Sequence, residues 1–216
     1  RAIPYDYLVP GYNNQKINRL RLYSCESKGS VDFKAFENHD FSKAFQKMNE
    51  AKAITAFLYP NDSDDCGKRL RLRQQYFFVS AALQNILAEI YDEKHFENLP
   101  NLIAVQLNDT HPTIAVAEFI RLIMKKGKSF ENAFSMATEI FSYTNHTVMN
   151  EALEKWNERL FSSLLPEVYD VIKKINARLI SELTKKTNRL DECLIIRDET
   201  IHMANLACYV CGHIND

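Results

Sequence analysis

Asp109 and His111 stand two apart in Asn108-Asp109-Thr110-His111-Pro112, a polar run set between two apolar stretches. A carboxylate and an imidazole so close can act as a general acid/base pair. Ahead of them, Leu102 to Leu107 is a short run rich in branched residues and predicts a buried strand. Behind them, Ile114, Phe119, Ile120 and Ile123 recur at helical spacing. Ligands of open α/β sheets collect where strand ends lead into helix N-termini, so this junction is a candidate site. A plain capping turn is the alternative, with Thr110 as cap and Pro112 in the first turn. Capping requires neither Asp109 nor His111.

Two further stretches carry polar chemistry. Phe141 to Thr147 reads as a strand with a polar end, and places His146 shortly before a predicted helix. Pro60-Asn61-Asp62-Ser63-Asp64-Asp65 is an acidic turn cluster, followed at once by Lys68, Arg69, Arg71 and Arg73. Those cations open a helix predicted from Gly67 to about Tyr91, where they oppose the helix dipole. Either they form a solvated, ion-paired face with the aspartates, or some of them orient the acidic loop or face a polar cavity.

The elements that must position these groups follow from periodicity. Residues 4 to 19 mix proline, glycine, tyrosine and asparagine and predict an ordered loop feeding a strand at Leu20 to Ser24. The second half of Phe33 to Phe45 predicts a helix, as does Phe130 to Ile140. Glu151 to about Leu183 carries an apolar stripe through Leu153, Trp156, Leu160, Leu164, Val168, Val171, Ile175 and Leu179. Pro166 should kink or divide that helix. The tail predicts two short strands, or a strand and a turn into helix. Together these give an α/β fold with long helices.

Composition narrows the classes. The chain has 216 residues, 46% hydrophobic, with 27 basic and 28 acidic side chains. That balance advertises neither nucleic acid nor a membrane surface, and no stretch nears the ~20 apolar residues of a membrane span. The start, Arg1-Ala2-Ile3-Pro4, lacks both a signal architecture and an initiator methionine, which suggests a chain cut from something longer. Five scattered cysteines read as reduced thiols of a cytoplasmic protein. Cys208-Tyr209-Val210-Cys211 with His213 nearby cannot complete a tetrahedral metal site locally, so buried thiols and no metal are expected. The sequons at Asn61, Asn108 and Asn145 read as coincidences.

Seven segments then come together: PYDYLVPGY, INRLRLYS, LYPND, GKRLRLRQQYF, VQLNDTHP, YTNHTV with EALEKW, and MANL. In this order and spacing they resemble the α-glucan (glycogen or starch) phosphorylases, from Ala2 to Asn215. The resemblance implies a Rossmann-like sheet within a two-domain, glycosyltransferase-B-type enzyme. Residues 1–216 correspond to the later portion of its N-terminal catalytic domain, without the C-terminal domain. The implied reaction is phosphorolysis of terminal α-1,4-linked glucose to glucose 1-phosphate with retained configuration, in storage-carbohydrate breakdown. The implied partners are α-1,4-glucan and inorganic phosphate, with pyridoxal 5'-phosphate as cofactor, bound mainly by the absent domain. A cytoplasmic, allosteric homodimer is implied for the parent enzyme, and inactivity for this chain alone.

Residue by residue, the resemblance places Asp62 and Asn61 in a mobile loop gating the active site, with Arg71 near that gate. It places Asp109 and His111 along the substrate cleft, supporting the gate loop. His146 matches the histidine that reaches the 6-hydroxyl of the terminal glucose and turns its backbone carbonyl to the anomeric region. On this reading Asp109 and His111 position rather than catalyse. Two departures stand out. The family has apolar or amide residues after LYPND, whereas Ser63-Asp64-Asp65-Cys66 follow here. The tail reads Cys211-Gly212-His213-Ile214-Asn215 where the family has Gly-Ser-His before Val-Asn-Gly. The acidic gate leaves room for an alternative, a glucan-binding or interaction module without catalysis. The helix near Leu164 to Leu183 matches a region that carries a secondary glucan site in some members, although solvent exposure explains its charges equally.

Overall fold

A computed structural model describes residues 1–147, 149 and 153–215 of the chain. Val148, Glu151 and Ala152, which belong to the YTNHTV and EALEKW segments, lie outside the described residues. The chain divides into two compact units, Arg1–Ala81 and Ala82–Asp216.

The first unit begins with a hairpin, β1 (Ala2–Pro10) paired antiparallel with β2 (Ile17–Cys25). This corrects the loop expected over residues 4 to 19. Tyr5, Tyr7, Leu8 and Val9 favour extended backbone, and the pairing they need comes from β2, which no local signal reveals. Pro4 and Pro10 are tolerated because a two-stranded ribbon consists only of edges. Asp6 and Arg21 stand opposite each other and form two 2.7 Å hydrogen bonds, which hold the Asp6 carboxyl below its ordinary value. Two short helices follow, α1 (Phe33–Glu37) and α2 (Phe41–Ala44), capped by the carboxylates of Asp32 and Asp40. Helix α2 lies in the half of Phe33–Phe45 where a helix is predicted, and α1 is an additional short helix that the Asp32 cap starts. Next come α3 (Gln46–Ala56) and the long α4 (Asp65–Ile90), close to the predicted bounds of the latter.

In the second unit a 3-10 segment (Glu93–Asn98) leads into α5 (Leu99–Leu102) and β3 (Val105–Asn108). The strand expected from Leu102 therefore starts three residues later, because Pro100 suits the first turn of a helix. After β3 come α6 (Ile114–Lys125), α7 (Phe130–Ile140) and β4 (Phe141–Thr144). Helix α7 coincides with its prediction. The start of the helix expected from Glu151 lies outside the described residues, and the stretch is not one helix: Lys155–Asn157 form β5, followed by α8 (Glu158–Leu164) and α9 (Pro166–Leu183). Trp156 pairs with Ile201 in β7 (Thr200–His202), a non-local contact that overrides its helical spacing. Pro166 divides the two helices as expected. The tail holds α10 (Leu190–Cys193), β6 (Ile196–Arg197), β7, α11 (Met203–Val210) and β8 (His213–Asn215).

Strands β3, β4 and β8 form a parallel sheet in that order, and β5, β7 and β6 an antiparallel one. The unit is thus mixed α/β with a parallel sheet carried by helices. Ile114, Val116, Phe119, Ile120 and Ile123 of α6 are fully buried, and Phe119 meets Phe141 edge-on at 5.6 Å. Each such side chain contributes roughly 1.5–3 kcal/mol. Glu118 is also buried on α6, held by Arg121 through bonds of 2.6 and 2.8 Å, and Arg121 reaches Glu167 of α9 at 2.7 Å. This network fixes how α6 meets α9. No helix among the described residues is long and apolar enough to cross a membrane.

Candidate functional site

The polar runs identified in the sequence fall into two groups, one in each unit. In the second unit, the carboxyl ends of β3, β4 and β8 come level at Asn108, Thr144 and Asn215, which are in register. Parallel strands need their last backbone groups satisfied, and the residues just past them do this. Asp109 N–H donates to the Thr144 carbonyl at 2.8 Å, and Asn145 N–H donates to the Asn215 carbonyl at 3.1 Å. The Asp109 Oδ1 accepts the His146 N–H at 2.8 Å. Gln106 Nε2 donates to Thr144 Oγ1 at 2.9 Å.

Asp109 achieves this with φ at +60°, the left-handed region that aspartate tolerates better than most residues. That turn lets its amide face β4 while its carboxylate reaches the His146 backbone. Asp109 and His146 are therefore brought together, through a side chain and a main chain. His111 lies two residues on, half-buried in the turn between β3 and α6.

The capping alternative fails in its particulars. The N-cap of α6 is Thr113, without a side-chain cap bond, and Pro112 precedes it. Thr110 is buried and its hydroxyl accepts the Glu154 N–H at 3.1 Å instead. The turn is thus built to bind the stretch after His146, as well as to start a helix.

In the first unit, the acidic loop folds onto the start of α4. Arg71 Nη1 donates to Asp62 Oδ2 at 2.5 Å. Asp64 caps the helix by accepting the Gly67 N–H at 2.8 Å, and Asn61 Oδ1 accepts the Ser63 N–H at 3.0 Å. A Cβ on Gly67 would lie 1.8 Å from the Asn61 carbonyl oxygen, so only glycine lets the loop pass. Gln74, buried on α4, donates to the Phe57 carbonyl at 2.7 Å. The Arg71–Asp62 pair is compatible with both readings of the cations, an ion-paired face with the aspartates and a cation that orients the loop.

Sequence reasoning missed Gly67, Gln74 and Asn145. The Asn145 carboxamide donates to the Thr147 carbonyl at 2.6 Å. Its sequon was visible, but a sequon does not report an internal hydrogen bond. Cys211, just past the end of α11, is buried and its thiol is pushed up to about 12 by that burial, whereas Cys208 within α11 is exposed, which corrects the expected buried pair. No group of three metal-ligating side chains occurs among the described residues. On α9, Lys173 pairs with Asp170, and Arg178 with Glu131 and Glu182. Ion pairing thus accounts for part of that charged face.

The family model described as carbohydrate phosphorylase matches residues 1–216. The chain is 39% identical to the glycogen phosphorylase of Chlamydia trachomatis, over 99% of this chain and 27% of that protein. It is 42% identical to the glycogen phosphorylase of Saccharomyces cerevisiae, over 86% of this chain and 21% of that protein. The H isozyme of alpha-glucan phosphorylase from Solanum tuberosum is 36% identical over 99% of this chain and 27% of its own length. The chain spans about a quarter of the length of these relatives.

Proposed function

The chain belongs to the carbohydrate phosphorylase family, and we propose on that premise that it is the later portion of the N-terminal catalytic domain of an α-1,4-glucan phosphorylase. The parent is a two-domain, glycosyltransferase-B-type enzyme that cleaves terminal glucose from a storage glucan with inorganic phosphate. It works in the cytoplasm as an allosterically regulated homodimer. This chain supplies the sugar-side wall, with Asp109, His111 and His146, and the gate, with Asn61, Asp62 and Arg71.

The observation that carries the reading is the junction at β3, β4 and β8, where Asp109 fixes the backbone of an exposed histidine. In phosphorolysis the bond from the anomeric carbon to the chain oxygen breaks as a phosphate oxygen bonds that carbon, and the leaving 4-hydroxyl takes a proton. Positive charge builds on the anomeric carbon and ring oxygen, where fixed carbonyl dipoles lower the barrier. A rigid backbone at His146 supplies such a dipole without reorganising. Its imidazole reads a sugar hydroxyl, since a wrong epimer leaves the polar group unpaired. Asp109 is committed to a main-chain amide, which suits a positioning role better than a hydrolase nucleophile.

Pyridoxal phosphate does not fit the residues present. It is held as an imine of a lysine in a pocket, and no described lysine side chain is buried; Lys128, half-buried, sits over the Phe96 ring. We assign the cofactor and the proton-transfer groups to the rest of the parent. The acidity of the gate, which favoured a non-catalytic module, has a structural account in Asp64 capping α4 and Asp62 holding Arg71. The test is to supply glucan, phosphate and pyridoxal phosphate to the isolated chain and to the full-length parent. Glucose 1-phosphate is expected from the parent alone; an inactive parent, or an active isolated chain, overturns the reading.

A further inference from the structure

We propose that Asn145 is a positioning residue that sets the His146 imidazole for recognition of the sugar, a role that rests on the glucan phosphorylase reading. Four consecutive residues, from Thr144 at the end of β4 to Thr147, have a backbone group fixed. The Thr144 carbonyl accepts from Asp109, Asn145 N–H donates to Asn215, His146 N–H donates to Asp109, and the Thr147 carbonyl accepts from Asn145. The His146 ring is exposed and makes no hydrogen bond among the described residues. An exposed, unpaired imidazole on an immobilised main chain is arranged to meet something outside the chain.

Three of the four constraints come from neighbouring strand ends, and among the described residues the Asn145 carboxamide closes the segment on the far side of His146. At 2.6 Å, from Nδ2 to the carbonyl two residues on, it forms a short ring that encloses His146. Asp109 fixes the incoming amide and Asn145 the outgoing carbonyl. With one clamp alone, the dihedral angles of His146 and Thr147 are free to turn, and the ring moves with them. The side-chain nitrogen is also the atom that glycosylation of this sequon modifies, and here it serves the fold.

The substitution that isolates this role is Asn145→Asp, which is isosteric but has no N–H to donate; Asn145→Ala serves as a second variant. Both are made in the full-length parent and assayed in the synthetic direction with glucose 1-phosphate and with 6-deoxyglucose 1-phosphate. The expected loss on glucose 1-phosphate is about tenfold, the worth of one hydrogen bond. The loss on the 6-deoxy sugar is expected to be smaller, so the preference for the 6-hydroxyl falls, a change of ratio that a loss of stability alone would not produce. In a His146→Ala background, Asn145→Asp should cost nothing further. Equal losses on the two sugars, or an additive loss in that background, overturn the assignment while leaving the phosphorylase reading intact. A wild-type parent without activity on glucose 1-phosphate overturns both.

Discussion

Asp109 joins backbone conformation to side-chain chemistry at one residue. Its φ of +60° turns the chain out of β3, and its carboxylate holds the His146 amide. Asparagine adopts the same backbone readily and keeps an oxygen acceptor, whereas alanine lacks the acceptor and is strained. Asp109→Ala should cost about 1 kcal/mol for the bond and a further ~1 kcal/mol for the backbone, and Asp109→Asn only a fraction of that. Thermal unfolding of the chain measures the first comparison, and kcat of the parent the second. If Asp109 instead supplied negative charge to the reacting sugar, Asp109→Asn would be as inactive as Asp109→Ala. Asp109 and His146 were each visible in the sequence, because polar residues broke the apolar runs, but the bond between them was not, and the sequence paired Asp109 with His111 instead. Asn145 was not visible, since its partners are the Thr147 carbonyl and, through its amide, Asn215 on a distant strand.

At the scale of elements, the loop from Phe57 to Asp64 is shaped by the first turns of α4. Gly67 is the narrowest point, with the Asn61 carbonyl where a side chain would stand. Gly67→Ala must displace that carbonyl, and with it the Asp62–Arg71 pair, at roughly 1–3 kcal/mol. Hydrogen exchange should quicken over Asn61–Asp64 and stay unchanged in β3, β4 and β8; an unaltered loop would show that its position is set elsewhere. The glycine and the cations were legible as a helix start, but the loop contact was not, because close approach leaves no compositional trace. The elements show the same division. Helix α7 is amphipathic, carries its own Ser129 cap, and lies where its period put it. The β1–β2 hairpin and β5 depend on pairing across sequence, and Pro, Gly and Asn in one and a helical spacing in the other disguised them.

At the scale of the whole molecule, we assign sugar recognition and gate to this chain and the cofactor to the rest of the parent. The α/β class was readable from alternating apolar runs and helical stripes, and the family from motifs that coincide with the strand-end junction and the α4 start. In the proposed function, His146 reads the sugar rather than holding the fold. The most direct measurement is His146→Ala in the full-length parent, with turnover and pyridoxal phosphate content determined on the same preparation. The account predicts at least a hundredfold loss of turnover, comparable to removing a transition-state donor, with cofactor content unchanged. Parallel loss of both, or turnover left intact, would contradict it.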